Sequence, residues 1–160
     1  MKRTDHPLLE KIEDDRPFIP YMKNDGFGFG CMKIGFCMDP KIFNKEMERL
    51  KVPEPPPFLV PGVGGSAMEL RIPHLSYSVT IITLSPLMNA PLLVDLGTIV
   101  HEATHVKQYI CEALGEDKPG MEYEAYTVGA ISEFCFEHYL HARQLYERRA
   151  AQRSKRASKK

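Results

Sequence analysis

From about residue 92 the apolar positions recur with helical spacing. At about 100° per residue, Leu92, Leu96, Ile99, Ala103, Val106, Ile110 and Leu114 fall on one narrow stripe, the pattern of a helix with one face in a core. Val94, Thr98, His101, His105, Gln108 and Glu112 fall on the opposite side. Leu93, Gly97 and Val100 widen the apolar surface, which predicts a central helix buried on more than one side. Gly115 and then Pro119-Gly120 supply a stop and a turn. A second helix is predicted after them, over PGMEYEAYTVGAISEFCFEHYL. In it Glu122, Ala125, Gly129 and Ser132 share a face whose small side chains allow another helix to approach closely. Glu124 shares a different face, with Val128, Ile131 and Cys135, which has the character of core.

The first half of the chain switches period. Residues Gly26 to Cys37, GFGFGCMKIGFC, predict a strand or hairpin whose glycines mark a bulge or a close backbone approach. MDPKIFNKEMERLKV predicts a helix with Asp39 as N-cap, Pro40 at its first position, and Ile42, Phe43, Met47 and Leu50 on its apolar face. VPEPPPFLVPGVGG is too rich in Pro and Gly for regular structure and reads as an ordered surface loop. SAMELRIP and LSYSVTIITLS then read as strands. The first alternates, with Met68, Leu70 and Ile72 on one face. The second is β-branched, with Val79, Ile81 and Thr83 set against Thr80 and Ile82. Strands followed by two long helices make the fold class α+β, with a small mixed or antiparallel sheet packed on the helices.

Composition narrows the class without naming a function. The 160 residues, 43% hydrophobic and 26% charged, are those of a soluble domain long enough to bury a core. Residues 1–142 are expected to form that domain. No apolar run reaches the length of a membrane span, and the N-terminus, MKRTDHPLLEKIEDDRPFIP, lacks the apolar segment of a secretory signal. Cys31, Cys37, Cys111 and Cys135 have no framework spacing and read as reduced, mostly buried thiols of a cytoplasmic protein.

The chemistry concentrates at His101-Glu102-Ala103-Thr104-His105, an H-E-x-x-H pattern. Histidines four apart lie one turn apart and point the same way, the spacing that puts two imidazoles on one tetrahedral zinc. Glu102 projects about 100° around the helix from His101. It stands beside such a site, where a base for a zinc-bound water belongs. A third protein ligand is expected on the second helix. Its face of small residues favours Glu122, with Glu124 as the alternative.

HEATHVKQY followed by a helix bearing EYEAY resembles the gluzincin metallopeptidases, which use H-E-x-x-H and a downstream glutamate. The Glu-x-x-Ala run from Glu122 to Ala125 is similar to the third-ligand helix of the ImmA/IrrE-like and CaaX-processing peptidases. The nearer likeness is to small metallopeptidases encoded by bacteriophages. The matching stretch is residues 99–131. The resemblance implies a minimal zincin-like fold, Zn²⁺ held by His101, His105 and Glu122, and Glu102 as general base in the hydrolysis of a peptide or protein substrate. It also implies the host cytoplasm as the location of a phage-encoded chain. Those peptidases place Asn or Asp four residues after the glutamate, where this chain has Tyr126. Tyr123 or Tyr126 is a candidate to assist at the carbonyl. Zincin-like folds also set a strand at the edge of the cleft, a role open here to either predicted strand.

The C-terminus has a different composition. From Arg143 onward eight basic residues stand against Glu147 alone, a net of +7, which leaves residues 1–142 at −7 in a chain that is neutral overall. Residues 143–160 are expected as a frayed helix end and disordered basic tail. Such a tail is a candidate for weak contact with nucleic acid or an acidic partner. The rival to a peptidase is a zinc-binding, non-proteolytic protein that acts by binding a protein or nucleic-acid partner. His138 and His141 read as surface or capping residues rather than a second metal pair.

Overall fold

The computed structural model describes residues 19–23, 32–85 and 91–157. Its elements run β1 (Met32–Cys37), α1 (Pro40–Arg49), β2 (Gly65–Leu70), β3 (Ser78–Leu84), α2 (Leu92–Leu114) and α3 (Met121–Ala157). The strands form one mixed sheet in the order β1-β3-β2, with β1 parallel and β2 antiparallel to β3. The fold is therefore α+β. No helix among the described residues is long and apolar enough to cross a membrane.

β3 is central, and its β-branched sequence follows from that position. Val79 and Ile81 face one layer, with Phe43 and Met47 of α1, Leu70 and Ile19. Ile82 and Leu84 face the other, with Met32, Ile34 and Phe36 of β1, Ile99, Ala103, Val106 and Ile110 of α2, and Ile131, Cys135 and Tyr139 of α3. A strand covered on both faces needs apolar residues at consecutive positions. α1 thus lies on one side of the sheet and α2 with α3 on the other.

Local signals set the element ends. Asp39 Oδ1 accepts from Lys41 N at 2.7 Å and from Ile42 N at 3.4 Å, with Pro40 opening the helix, so α1 begins where the cap residues placed it. Lys51 turns the chain out of α1 at φ 55°. Gly115 does the same after α2 at φ 67°, its N–H reaching Glu112 O at 3.1 Å while Glu116 N reaches Cys111 O at 2.9 Å. Gly35 marks a close backbone approach, since a Cβ there would meet Ile19 Cγ2 at 2.8 Å. Residues 52–64 form neither helix nor strand. They are ordered by Phe58, whose ring meets Phe43 edge-on at 5.5 Å and whose carbonyl accepts from Thr83 Oγ1 at 2.8 Å.

Three expectations need correction. Leu93, Gly97 and Val100 are exposed, so α2 is buried along one stripe and one flank rather than on more than one side by those residues. The face of Ala125 and Gly129 on α3 is exposed and no helix lies on it; α2 packs instead toward the face of Glu124, Ile131 and Cys135. α3 also continues without a break to Ala157, so the basic stretch begins inside the helix and its first fifteen residues are not a disordered tail. Leu145, Glu147, Arg148, Ala150 and Ala151 are good helix formers, and no Gly or Pro interrupts them. Of the four cysteines, Cys37, Cys111 and Cys135 are free and buried as expected, and Cys31 lies outside the described residues.

Candidate metal centre

α2 and β2 run side by side in the same direction, and three contacts fix them. Gly65 lies so near α2 that a Cβ on it would stand 2.7 Å from Thr98 Cγ2 and 3.3 Å from Glu102 Cγ. Two residues on, Ala67 O accepts from Tyr109 OH at 3.3 Å. Just past the strand, Arg71 Nη2 reaches Glu112 Oε1 at 3.8 Å while holding Glu69 Oε2 at 3.0 Å. Six strand residues span about 20 Å, close to the roughly 18 Å of helix between residues 100 and 112. The match lets the strand edge follow the helix along its length. β2 is an edge strand of the sheet, whereas β3 is central. Ser85 N donates to Gly64 O at 2.8 Å, so in the alternating antiparallel pattern Gly65, Ala67 and Glu69 turn their backbone groups away from β3.

The rings of His101 and His105 meet edge-on with centroids 4.7 Å apart. Their Nε2 atoms are 3.1 Å apart. His105 Nδ1 lies 3.0 Å from Gln108 Oε1, and its Nε2 is the atom that faces His101. Gln108 is thus the side chain that orients one histidine ring, a role the motif required but did not assign. The helical spacing of three from His105 was the signal for it.

Glu102 is only 6% exposed. Its flank of α2 lies against β2 rather than in the apolar core, about 60° from the stripe of Ile99 and Val106. Its carboxylate makes no hydrogen bond or ion pair with any described residue. Its carboxylate oxygens are not among the side-chain atoms closed off from solvent without a partner, so the carboxylate keeps an opening to water beside the two imidazoles.

The donor set fits a zinc ion in part. Two nitrogens bound at 2.0–2.1 Å in tetrahedral geometry are about 3.3 Å apart, close to the 3.1 Å observed. The third donor does not stand with them. Among the described residues no group of three or more His, Cys, Asp or Glu is placed to hold a metal ion. Glu124 Oε1 is held by Lys107 Nζ at 2.6 Å. Lys107 projects about 120° around α2 from His101 and about 160° from His105, so the first turn of α3 meets a different flank of the helix. Glu122 is exposed and has no partner among the described residues. The Tyr123 hydroxyl is buried and has no hydrogen-bond partner among the described residues, and Tyr126 is exposed. His138 stacks edge-on against Phe134, and neither it nor His141 belongs to a metal-holding group.

The polar stripe of α2 and the outer edge of β2 lead to a cavity of 610 Å³ lined by Glu69, Arg71, Leu75, Tyr77 and Glu112 among others. It opens two helical turns beyond His105, and sequence reasoning missed it because its walls come from β2, the β2–β3 connection and α2. No family model matches the chain, and no curated protein or solved structure matches it.

Proposed function

We propose that the chain is a zinc-dependent metallopeptidase of the gluzincin kind. One observation carries the reading: the Nε2 atoms of His101 and His105 converge to 3.1 Å next to a Glu102 that is more than nine-tenths buried and unpartnered among the described residues. His101 and His105 would supply two ligands to Zn²⁺. Bound there, the metal would acidify a water and polarise the scissile carbonyl. Glu102 would take the proton of that water on its carboxylate and return it to the leaving amine. Gln108 would hold the His105 ring in place, and the outward backbone groups of Glu69 would pair with an extended peptide along β2. The cavity past Arg71 would then receive a side chain of the substrate.

The third ligand has two candidates on different grounds. Glu122 is assigned by the likeness of Glu-x-x-Ala and has a carboxylate with no partner among the described residues. Glu124 is assigned by its place on the α2-facing side of α3, and binding metal would require it to leave Lys107. Three free cysteines support a reducing compartment, hence the cytoplasm, or the host cytoplasm for a phage-encoded chain.

The separation of both glutamates from the pair favours one second reading, a zinc-binding but non-proteolytic protein that acts through a protein or nucleic-acid partner. Glu102→Gln separates the two. For the peptidase, the variant retains zinc and loses hydrolysis of a mixed peptide library by at least about 10²-fold. Equal cleavage by wild type and variant, or none by a zinc-loaded wild type, contradicts the peptidase reading.

A further inference from the structure

α3 outlasts the body it packs on. Among the described residues its last fully buried one is Tyr139, whose hydroxyl donates to Asp95 Oδ2 at 2.5 Å and accepts from Arg143 Nη1 at 2.9 Å. Leu145 is half-buried, and residues 146–149, 151 and 152 are exposed. The helix nevertheless runs on to Ala157, so twelve residues, about 18 Å of helix, extend past the packed part. This arm carries Arg148, Arg149, Arg153, Lys155 and Arg156 against Glu147. Arg148 and Arg149 have no ion-pair partner among the described residues.

We propose that this arm is a binding element for duplex DNA, independent of any hydrolytic role. An isolated exposed helix gains nothing from packing, and four of its five cations are arginines, the residue suited to phosphate and base-edge recognition. The arm lacks the large apolar face that an interfacial membrane helix requires: after Tyr146 its only apolar residues are alanines. A helix of 10–12 Å diameter fits the major groove of B-DNA, about 12 Å wide, whereas the deep, narrow major groove of A-form RNA does not admit it. Residues 1–142 carry −7 and are repelled by a polyanion, so the arm makes the contact.

The test is fluorescence anisotropy of a labelled 20-base-pair duplex with the full chain across a salt series. Engagement of four or five phosphates gives a slope of log K against log salt near −4, or a loss on the order of 10²–10³-fold between 50 and 200 mM. R148A/R149A/R153A keeps helix-forming residues in place. It is expected to lose at least tenfold in affinity at 50 mM salt, with an unchanged thermal transition. No binding by the wild type at 50 mM salt, equal binding by the triple variant, or tighter binding to phosphatidylglycerol vesicles than to duplex overturns the proposal.

Discussion

Gly65 holds the edge strand against the helix that carries Glu102, and its replacement tests that arrangement. Its backbone is not left-handed, so the cost of Gly65→Ala is steric. The added methyl would stand 2.7 Å from Thr98 Cγ2, 3.2 Å from Thr83 O and 3.3 Å from Glu102 Cγ, whereas carbon atoms pack comfortably at roughly 3.5–4.0 Å. Thr98 cannot turn aside freely, because Oγ1 donates to Val94 O at 3.0 Å and fixes the rotamer. Thr83 O belongs to β3 and cannot yield without bending the sheet. Overpacking of this kind costs about 1–3 kcal/mol, and the reduced entropy of the unfolded chain returns about 0.4–1 kcal/mol. The expected net destabilisation is about 1–2 kcal/mol, read from urea unfolding at constant m-value. Thr98→Ser removes Cγ2 and keeps the hydroxyl, so in the Gly65→Ala background it should recover about half of the loss. Wild-type stability in Gly65→Ala, or an additive double variant with no coupling, would refute the close approach of β2 to α2.

Two further predictions concern the opposite face of the sheet. Burial pushes the Cys37 thiol up to about 11 from an ordinary 9.0, so the unfolded chain sheds its proton first. That part of the stability is intact below pH 9 and falls as the pH rises towards 11, by on the order of 2 kcal/mol. Cys37→Ala should flatten the alkaline decline in urea titrations, and an unchanged slope would show that Cys37 does not cause it. Lys51, held at φ 55° after α1, is strained in the left-handed region. Lys51→Gly should raise stability by about 0.5–1 kcal/mol after the entropy cost of glycine, visible as a higher urea midpoint; a lower midpoint would mean the Lys51 side chain contributes more than its backbone costs.

Much of the frame was legible because its signals are local. Asp39-Pro40 opens α1, Gly115 closes α2, and the alternation of Val79 and Ile81 with Ile82 announces a strand between two layers. The two histidines share one side of α2 because spacing alone puts them there. What escaped depends on neighbours distant in sequence. The exposure of Leu93 and Val100 follows from which sides of α2 the sheet and α3 leave uncovered, which only the packing fixes. The burial of Glu102 follows from Gly65, thirty-seven residues away, which allows β2 to press on that flank. The small-residue face of Glu122 looked like a helix contact, yet α2 took the larger apolar face of Ile131 and Cys135, where more surface is removed from water. Lys107 meeting Glu124 was likewise invisible, since no sequence spacing relates the two helices.

His101 and His105 would form one half of a metal site beside Glu102. Elemental analysis of protein purified without added metal, and again after zinc titration and dialysis, tests it most directly. About one zinc per chain is expected in the wild type and in Glu102→Gln, and little in His101→Ala or His105→Ala. Loss in only one of Glu122→Ala and Glu124→Ala identifies the third ligand. A wild-type chain that neither carries zinc nor takes it up contradicts the account.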